Sequence, residues 1–268
     1  MNRRTFLKAV PALAVLAAKG LTLAQDATRP LAAPDAPKAP PAGEPATQPG
    51  PPKGMEPIVL VKPQADGGKS VLAALHERKT IRTISEEKLP PQMLSNLLWA
   101  AFGVNREKGP GGGTGRTAAS ASNSQEIDLY VALADGVYLY EAVPHRLAPV
   151  LAGDHRAKVG RGRGGAGAKA PVRLIFVADI AKFAGARFQE PGLRDAEIQK
   201  SYYCIDAGLV AGNVYLFAAS AGLAAWFHNC DKAGLAKDLN LRADQRVLYG
   251  QTVGYPQGAQ TRPASAPA

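Results

Sequence analysis

The sequence predicts an α+β sandwich, in which a mixed and mainly antiparallel central sheet is flanked by helices. Three observations lead to this class. Residues Ile127–Ala134 and Val137–Glu141 have strand-forming patterns on either side of an Asp135-Gly136 turn, as in an antiparallel hairpin. Glu197–Ala221 has the pattern of a long helix that is apolar over much of its surface and therefore central. Helical and strand patterns also follow one another without the strict alternation of a parallel sheet.

The other elements are predicted in chain order. Ser70 caps a short helix that runs through Lys79, and Pro90-Pro91 opens a second helix. The apolar residues of this second helix recur with the helical period, at Leu94, Leu97, Leu98, Ala101 and Phe102. A glycine-rich loop follows at Gly109–Gly115. Further strands are expected at Val172–Ala178, Ala225–Phe227 and Val247–Val253.

Residues 1–24 have the pattern of an export signal. Arg3 and Arg4 precede Phe6-Leu7-Lys8 and an alanine-rich apolar run, Ala9–Ala18. The segment resembles the twin-arginine signal, whose export machinery moves folded proteins, often with a cofactor already bound. We therefore expect an exported, periplasmic protein. The apolar run is too short to cross about 30 Å of hydrocarbon, so no stable membrane anchor is predicted. The alternative is a basic tail before an amphipathic helix.

The rest of the chain divides by composition. Residues 25–67 are rich in proline and alanine and are predicted to be a disordered, extended linker, since this composition supports neither regular structure nor a core. Residues 68–258 form the predicted globular domain, which is large enough for a core of its own. Residues 259–268 return to the linker composition and are predicted to be a loose tail.

Composition argues against several classes of function. The net charge is +10, but residues 1–24 carry four cations and no acid, so +6 remains without them. The run from Arg161 to Arg163 lacks interleaved aromatic residues, and no nucleic-acid partner is predicted. Two cysteines and four scattered histidines predict no metal site. Ser220 closes a helix instead of following a strand, which argues against a hydrolase nucleophile.

Two segments carry recognisable chemistry. Arg78-Lys79-Thr80-Ile81-Arg82 combines three cations with a hydroxyl at a helix end, the residue types that bind phosphate. The alternative is a solvated helix end that complements its own dipole. Residues Thr117–Gln125 are small and polar, so the backbone can approach a flat ligand while amides reach its edge. Read alone, this second segment is equally a plain polar loop.

Together these segments resemble the nitroreductase-like family of FMN-dependent flavoproteins, which includes the azoline-oxidising dehydrogenases of peptide-toxin maturation. Arg78-Lys79-Thr80 is similar to the family's Arg-x-Ser, and Ser120-Ala121-Ser122-Asn123-Ser124-Gln125 to its Ser-x-x-Asn-Ser-Gln. The predicted long helix carries Asp206, Ala207, Gly208 and Asn213 at familiar places, and Gly254-Tyr255-Pro256 is similar to the family's ending of the last strand. The resemblance covers residues 70–262.

The resemblance implies an FMN site at the interface of a homodimer. Arg78, Lys79, Thr80 and Arg82 would hold the phosphate together with Arg262, and the Ser120–Asn123 loop would come from the partner subunit. A backbone amide near His228-Asn229 would face flavin N5; the family's usual Glu-Gly is replaced there. The implied cofactor-binding set is Arg78, Lys79, Thr80, Arg82, Ser120, Ala121, Ser122, Asn123, Gln125, His228, Asn229 and Arg262.

The resemblance further implies an exported oxidoreductase that exchanges hydride or electrons between flavin N5 and a small organic substrate, such as a nitroaromatic or a quinone. The flavin carries the redox chemistry, so the protein needs no acid–base pair, and His228 is the one candidate catalytic side chain. The alternative is a non-catalytic exported protein that binds flavin or another ligand on the same scaffold. The electron donor and the physiological substrate stay open.

Overall fold

The computed structural model describes residues 52–109, 112–160 and 170–258 of the chain. The predicted export signal, the first part of the predicted linker and the predicted tail lie outside these ranges. Everything that the structure describes belongs to one unit of the chain, residues 45–268.

Nine strands and five α-helices form within the described residues. In chain order they are β1 Ile58–Val59, α1 Val71–Glu77, α2 Pro91–Phe102, β2 Val104–Arg106, β3 Gly115–Arg116, β4 Ile127–Ala132, β5 Gly136–Glu141, β6 Arg146–Ala152, α3 Arg156–Val159, β7 Val172–Asp179, α4 Ala196–Ala221, β8 Ala224–His228, α5 Lys232–Asp238 and β9 Gln245–Gly254. Short 3-10 turns lie at Ala121–Asn123, Ile180–Gly185 and Pro191–Arg194. The predicted helices and strands are therefore present, with ends that differ by a few residues.

The central sheet has seven strands in the order β1-β6-β5-β4-β7-β9-β8. Every neighbouring pair in it is antiparallel, so the mixed character that we predicted is not seen within the described residues. The β4–β5 hairpin pairs Tyr130 with Leu139 and Ala132 with Val137. The remaining two strands, β2 and β3, form a separate ribbon. The α+β class is confirmed.

Helices cover both faces of the sheet. One core lies under α2 and α4 and includes Leu97, Phe102, Phe176 and Val214. A second core on the opposite face contains Val159 of α3 and residues at and beyond α5. All eight residues of β7 are buried because this strand lies in the middle of the sheet with both faces covered. The layers are those of a sandwich with the sheet in the centre.

Helix ends follow the chemistry that the sequence offers. Ser70 accepts a hydrogen bond from the Ala73 amide at 3.3 Å and caps α1, as predicted. Asp195 caps α4 by accepting from the amides of Glu197 and Ile198. Gly222 ends the same helix with φ of 71°, a conformation that glycine adopts without strain. Capping therefore fixes both ends of the longest helix.

The helix α4 is only partly central. It buries one face, which includes Ala207, Val210 and Val214, while Ile205 and Leu209 on another face are exposed. The expectation of a central helix therefore holds for the face that packs in the core, while part of its apolar surface is exposed. Among the described residues, α4 is also the single helix whose length and composition would let it cross a membrane, although its buried face packs in the domain core.

The ordered domain begins before Gly68, which corrects the predicted end of the linker. Ile58 and Val59 form β1 and pair with Leu147 and Arg146 of β6. Leu60 is buried, and its amide donates to a backbone carbonyl of the domain at 3.1 Å. A two-residue strand at the sheet edge tolerates flanking prolines, because an edge strand needs few donors. Proline content alone therefore placed the boundary too late.

Candidate functional site

The segment Arg78–Arg82 leaves α1 and runs along the outer edge of β8. Its backbone is fixed there because the Ile81 amide donates to the Ala225 carbonyl at 3.1 Å. The three cations of the segment and Thr80 are exposed. None of these cations forms an ion pair with any residue that the structure describes. Positive charge and a hydroxyl donor thus stand together without an acidic partner, as a phosphate-binding surface requires.

Aromatic rings hold two of these cations. The Arg78 guanidinium lies 5.5 Å from the centre of the Tyr215 ring, and the Arg82 guanidinium lies 5.8 Å from the ring of Trp226. A guanidinium over an aromatic face is attracted by the ring quadrupole and keeps its N–H groups free at the rim. The two arginines are therefore partly ordered before any anion binds.

The segment also contacts the end of the last strand. Ile84 forms an isolated bridge with Pro256, and the Ser85 amide donates to the Tyr255 carbonyl at 2.8 Å. The first and last motifs of the sequence, Arg78–Thr80 and Gly254-Tyr255-Pro256, are thus brought close together. Arg262, the other residue assigned to the phosphate, lies outside the described residues.

Tyr215 of α4 was not among the predicted site residues. Its hydroxyl accepts a hydrogen bond from the Phe227 amide of β8 at 2.8 Å and lies 3.2 Å from the Thr80 hydroxyl. The contact joins residues that are far apart in the chain. No local pattern in the sequence announces it, because it depends on how α4 packs beside β8.

The loop Ser120–Gln125 has an unusual backbone. Ser122, Asn123 and Gln125 have φ near 50°, in the left-handed region that side chains other than glycine rarely adopt. The Gln125 amide donates to the Ser120 hydroxyl at 3.0 Å. The Gln125 side chain bonds to Arg116, Thr114 and Asn123, so its polar atoms are used within the loop. Gln125 supports the shape of this loop, and its contact with a ligand stays a prediction.

Two buried carboxyl groups hold the loop against α4. Asp206 accepts from the Ala121 amide at 2.8 Å, and Glu126 accepts from the Ser124 hydroxyl at 2.5 Å. Burial raises the pKa of Glu126 to about 7, and the nearby charge of Asp206 raises it further while the Ser124 bond opposes the shift. Burial also raises the pKa of Asp206. The sequence resemblance pointed to Asp206, but nothing in the sequence pointed to Glu126.

Within one chain, the two predicted segments do not meet. The Ser120–Gln125 loop is held at Asp206, whereas Thr80 contacts Tyr215, nine residues further along the same helix. With a rise of 1.5 Å per residue, these contacts are roughly 13 Å apart along α4. A cleft of about 300 Å³ between α1, α2 and α4 is lined by Trp99, Phe217 and Thr117, the first residue of the predicted polar segment, but by none of the residues assigned to cofactor binding.

His228 is a buried, neutral histidine in this fold. One ring nitrogen, Nδ1, donates to the Asn229 carbonyl at 2.9 Å, so Nε2 accepts from the Thr252 hydroxyl at 2.9 Å. Burial lowers the pKa of His228, and the Arg173 charge lowers it further against the raising effect of the Asn229 carbonyl. Both ring nitrogens are occupied, which argues against the catalytic role that we considered for this side chain.

The backbone at the end of β8 has a free donor. On the side of β8 that faces away from β9, the Ala225 carbonyl bonds to Ile81 and the Phe227 amide bonds to Tyr215. Backbone groups alternate in direction along a strand, so those of Asn229 are the next to face away from β9. The Asn229 amide makes no hydrogen bond to any described part of the chain. An unpaired amide beside the cation-bearing edge fits the predicted backbone contact with a cofactor.

The fold and this edge define a class of protein: an α+β domain with helices on both faces of its sheet, in which a segment with three exposed cations lies along the outermost strand, beside an unpaired amide. The model of the nitroreductase family matches residues 75–255. The chain belongs to the nitroreductase family, and it is an oxidoreductase of that family. The match includes the Arg78–Arg82 segment, the Ser120–Gln125 loop and the ends of β8 and β9.

Individual relatives agree with this assignment. A nitroreductase-family protein of Methanocaldococcus jannaschii is 29% identical over 157 residues, which cover 56% of this chain and 73% of the relative. A solved nitroreductase structure from Ralstonia eutropha is 33% identical with a TM-score of 0.67, over 79% of this chain and 95% of that chain. The E. coli microcin synthetase McbBCD complex is 17% identical with a TM-score of 0.54, over 75% and 78% respectively, and shares the fold.

Proposed function

We propose that this protein is an exported FMN-dependent oxidoreductase that passes hydride or electrons between the flavin and a small organic substrate, such as a nitroaromatic or a quinone. When bound, FMN supplies the redox chemistry at its N5 atom. The observation that carries the proposal is the group of three exposed cations at Arg78–Arg82, which lacks an acidic partner among the described residues of a nitroreductase-family fold.

Different residues of this edge would bind the phosphate and the ring of FMN. Arg78 offers a guanidinium fork and Thr80 a hydroxyl to a phosphate, while Lys79 and Arg82 add positive charge. Arg262 remains part of the proposed phosphate site on the sequence resemblance alone. The Asn229 amide is a fixed donor for a ring acceptor, and its free N–H supports this assignment. His228 orients this strand end through Thr252 and Asn229 and moves no proton itself.

A homodimer would complete the site. The loop of Ser120, Ala121, Ser122 and Asn123 is held at Asp206, roughly 13 Å along α4 from the contact between Tyr215 and Thr80, so a partner subunit would have to supply it. Exposed apolar side chains on α1 and α4 support an interface there: Leu72 is 78% exposed, Ile205 60% and Leu209 44%. Exposed apolar side chains on two adjoining helices favour a surface that another molecule covers.

The export proposal rests on residues 1–24. Arg3 and Arg4 precede an apolar run that is too short to remain as an anchor. A twin-arginine route would let the chain fold and bind FMN in the cytoplasm before it reaches the periplasm. The electron donor in that compartment would then differ from the cytoplasmic nicotinamide pool.

Arg78→Ala tests the phosphate assignment. The change removes a charge-assisted interaction, so we expect FMN affinity to fall by about ten- to a hundredfold. Arg78→Lys should recover part of the loss, because an ammonium keeps the charge without the fork. Titration of the apoprotein with FMN, followed by flavin fluorescence, gives both values.

Arg146→Ala is the matched control. Arg146 is an exposed arginine of β6, five strand spacings from β8, or roughly 24 Å across the sheet. Its loss should leave FMN affinity unchanged. If Arg78→Ala binds FMN as tightly as the wild type, the phosphate lies elsewhere. If the wild type binds no FMN, the proposed function is wrong; if bound FMN is never reduced by any donor, the non-catalytic alternative replaces it.

A further inference from the structure

Tyr215 links the three parts of the chain that surround the proposed phosphate site. Its ring lies under the Arg78 guanidinium, with 5.5 Å between the guanidinium carbon and the ring centre. Its hydroxyl contacts the Thr80 hydroxyl at 3.2 Å and the Phe227 amide at 2.8 Å. One side chain of α4 therefore touches both the cation-bearing segment and the strand beside it.

The direction of these hydrogen bonds follows from the chemistry of the groups. The Phe227 amide can only donate, so the Tyr215 oxygen accepts from it. The phenol proton then has a single described acceptor, the Thr80 oxygen, because Tyr215 makes no other hydrogen bond with described residues. Donation from Thr80 to Tyr215 instead would leave the phenol proton to solvent alone, whereas donation from Tyr215 uses this proton within the protein.

This direction leaves the proton of the Thr80 hydroxyl pointing away from Tyr215. The chain of bonds runs from the Phe227 amide through Tyr215 to Thr80 and ends on an unused O–H group. Thr80 is exposed, so that O–H can donate to an incoming acceptor. A hydroxyl whose oxygen already accepts one hydrogen bond donates a stronger one, because hydrogen bonds in a chain polarise one another. The Thr80 hydroxyl should therefore bind an oxyanion such as phosphate more strongly than an isolated hydroxyl would.

The ring of Tyr215 has a separate effect. It fixes the position of the Arg78 guanidinium by contact with its face and leaves the N–H groups at the rim available. The same side chain therefore sets both the hydroxyl and the guanidinium that the proposed function gives to the phosphate. A side chain that is ordered before binding loses less entropy when the ligand arrives.

We infer that Tyr215 is a positioning residue for the phosphate end of the flavin site, which orients the Thr80 hydroxyl outward and holds the Arg78 guanidinium in place. The inference rests on the proposed function, since it concerns the same site. It predicts selectivity: Tyr215 favours a flavin that carries a phosphate over riboflavin, which lacks one.

The test is Tyr215→Phe, which removes the hydroxyl and keeps the ring. We expect FMN affinity to fall by about three- to tenfold, the size of one neutral hydrogen bond, while riboflavin affinity stays the same. Titrations of each apoprotein with FMN and with riboflavin give the ratio of the two affinities. Tyr138→Phe is the control, because it likewise removes a hydrogen-bonded phenol hydroxyl, which here donates to Asp135 at 2.8 Å, on a strand far from β8.

A double-mutant cycle separates positioning from general support. Thr80→Val removes the outward hydroxyl and keeps the shape, so adding Tyr215→Phe to this variant should cost little more. Additive losses, or equal losses for FMN and riboflavin, would show that Tyr215 only supports the fold. An unchanged FMN affinity in Tyr215→Phe would also overturn the inference. A wild type without FMN binding would instead contradict the proposed function, so the two failures are distinguishable.

Discussion

Replacing Glu126 by glutamine should stabilise the protein, and the gain should grow with pH. Glu126 is fully buried, and its Oε1 atom has no hydrogen-bond partner among the described residues. Burial raises its pKa from an ordinary value near 4.5 to about 7, with the charge of Asp206 adding to the shift. A glutamine has nearly the same shape, keeps an oxygen for the Ser124 hydroxyl and carries no ionisable proton.

The sign follows from proton binding in the two states. Below pH 4.5 the Glu126 carboxyl is protonated whether the chain is folded or unfolded, so it adds no pH dependence. Between pH 4.5 and 7 the unfolded chain releases the proton first, so stability falls as the pH rises. The accumulated cost is about 1 kcal/mol at pH 5 and about 3 kcal/mol at pH 8, since each pKa unit corresponds to about 1.4 kcal/mol.

Urea unfolding of the wild type and of Glu126→Gln, at about pH 5 and about pH 8, measures this difference in the free energy of unfolding. The variant should gain about 2 kcal/mol more at the higher pH. Glu107→Gln is the control, because Glu107 is exposed and makes no hydrogen bond or ion pair with described residues. A gain that does not depend on pH, or a variant that is less stable at pH 8, would refute the reasoning.

The remaining predictions concern assembly and export. The wild type should be a dimer by light scattering. Leu209→Asp should give a monomer with unchanged helix content, because it places a charge on the exposed apolar face of α4. The control Lys237→Asp on α5 should stay dimeric, and a monomeric wild type that retains full flavin would contradict the proposed interface. Replacing Arg3 and Arg4 by lysine keeps the charge and loses the guanidinium pair, so the precursor should remain in the cytoplasm. Unchanged export in a fractionation experiment would exclude the twin-arginine route.

The sequence predicted those helices, turns and strands whose structure depends on a few neighbouring residues. The Ser70 cap, the turn before Gly136 and the apolar period of α2 are each written in a few neighbouring residues. The strand β6 was missed because Pro149 interrupts it, and proline removes a donor that a strand uses. The pairing with β5 shifts register at Val137 and Tyr138, so the ladder accommodates Pro149 beside an irregularity that no local pattern reveals.

In the candidate site, too, the sequence reveals residues that are neighbours in the chain but not contacts between distant segments. Arg78, Lys79, Thr80 and Arg82 lie within five residues, so their shared chemistry can be recognised in the sequence. Tyr215 belongs to the site only because α4 passes beside β8, and a contact between distant segments has no local signature. The buried position of Glu126 likewise depends on α4, which brings Asp206 towards it.

The two margins of the central sheet determine how the protein resists aggregation. An open margin offers rows of unpaired amides and carbonyls to a strand of another molecule. At one margin, β1 is only two residues long, which is too short a template for a stable cross-molecule ladder. At the other, Ile81 occupies the Ala225 carbonyl and Tyr215 occupies the Phe227 amide. The residues that prepare β8 for a ligand therefore also keep it from recruiting a second sheet, so a mutation that frees this strand should lower solubility as well as ligand affinity.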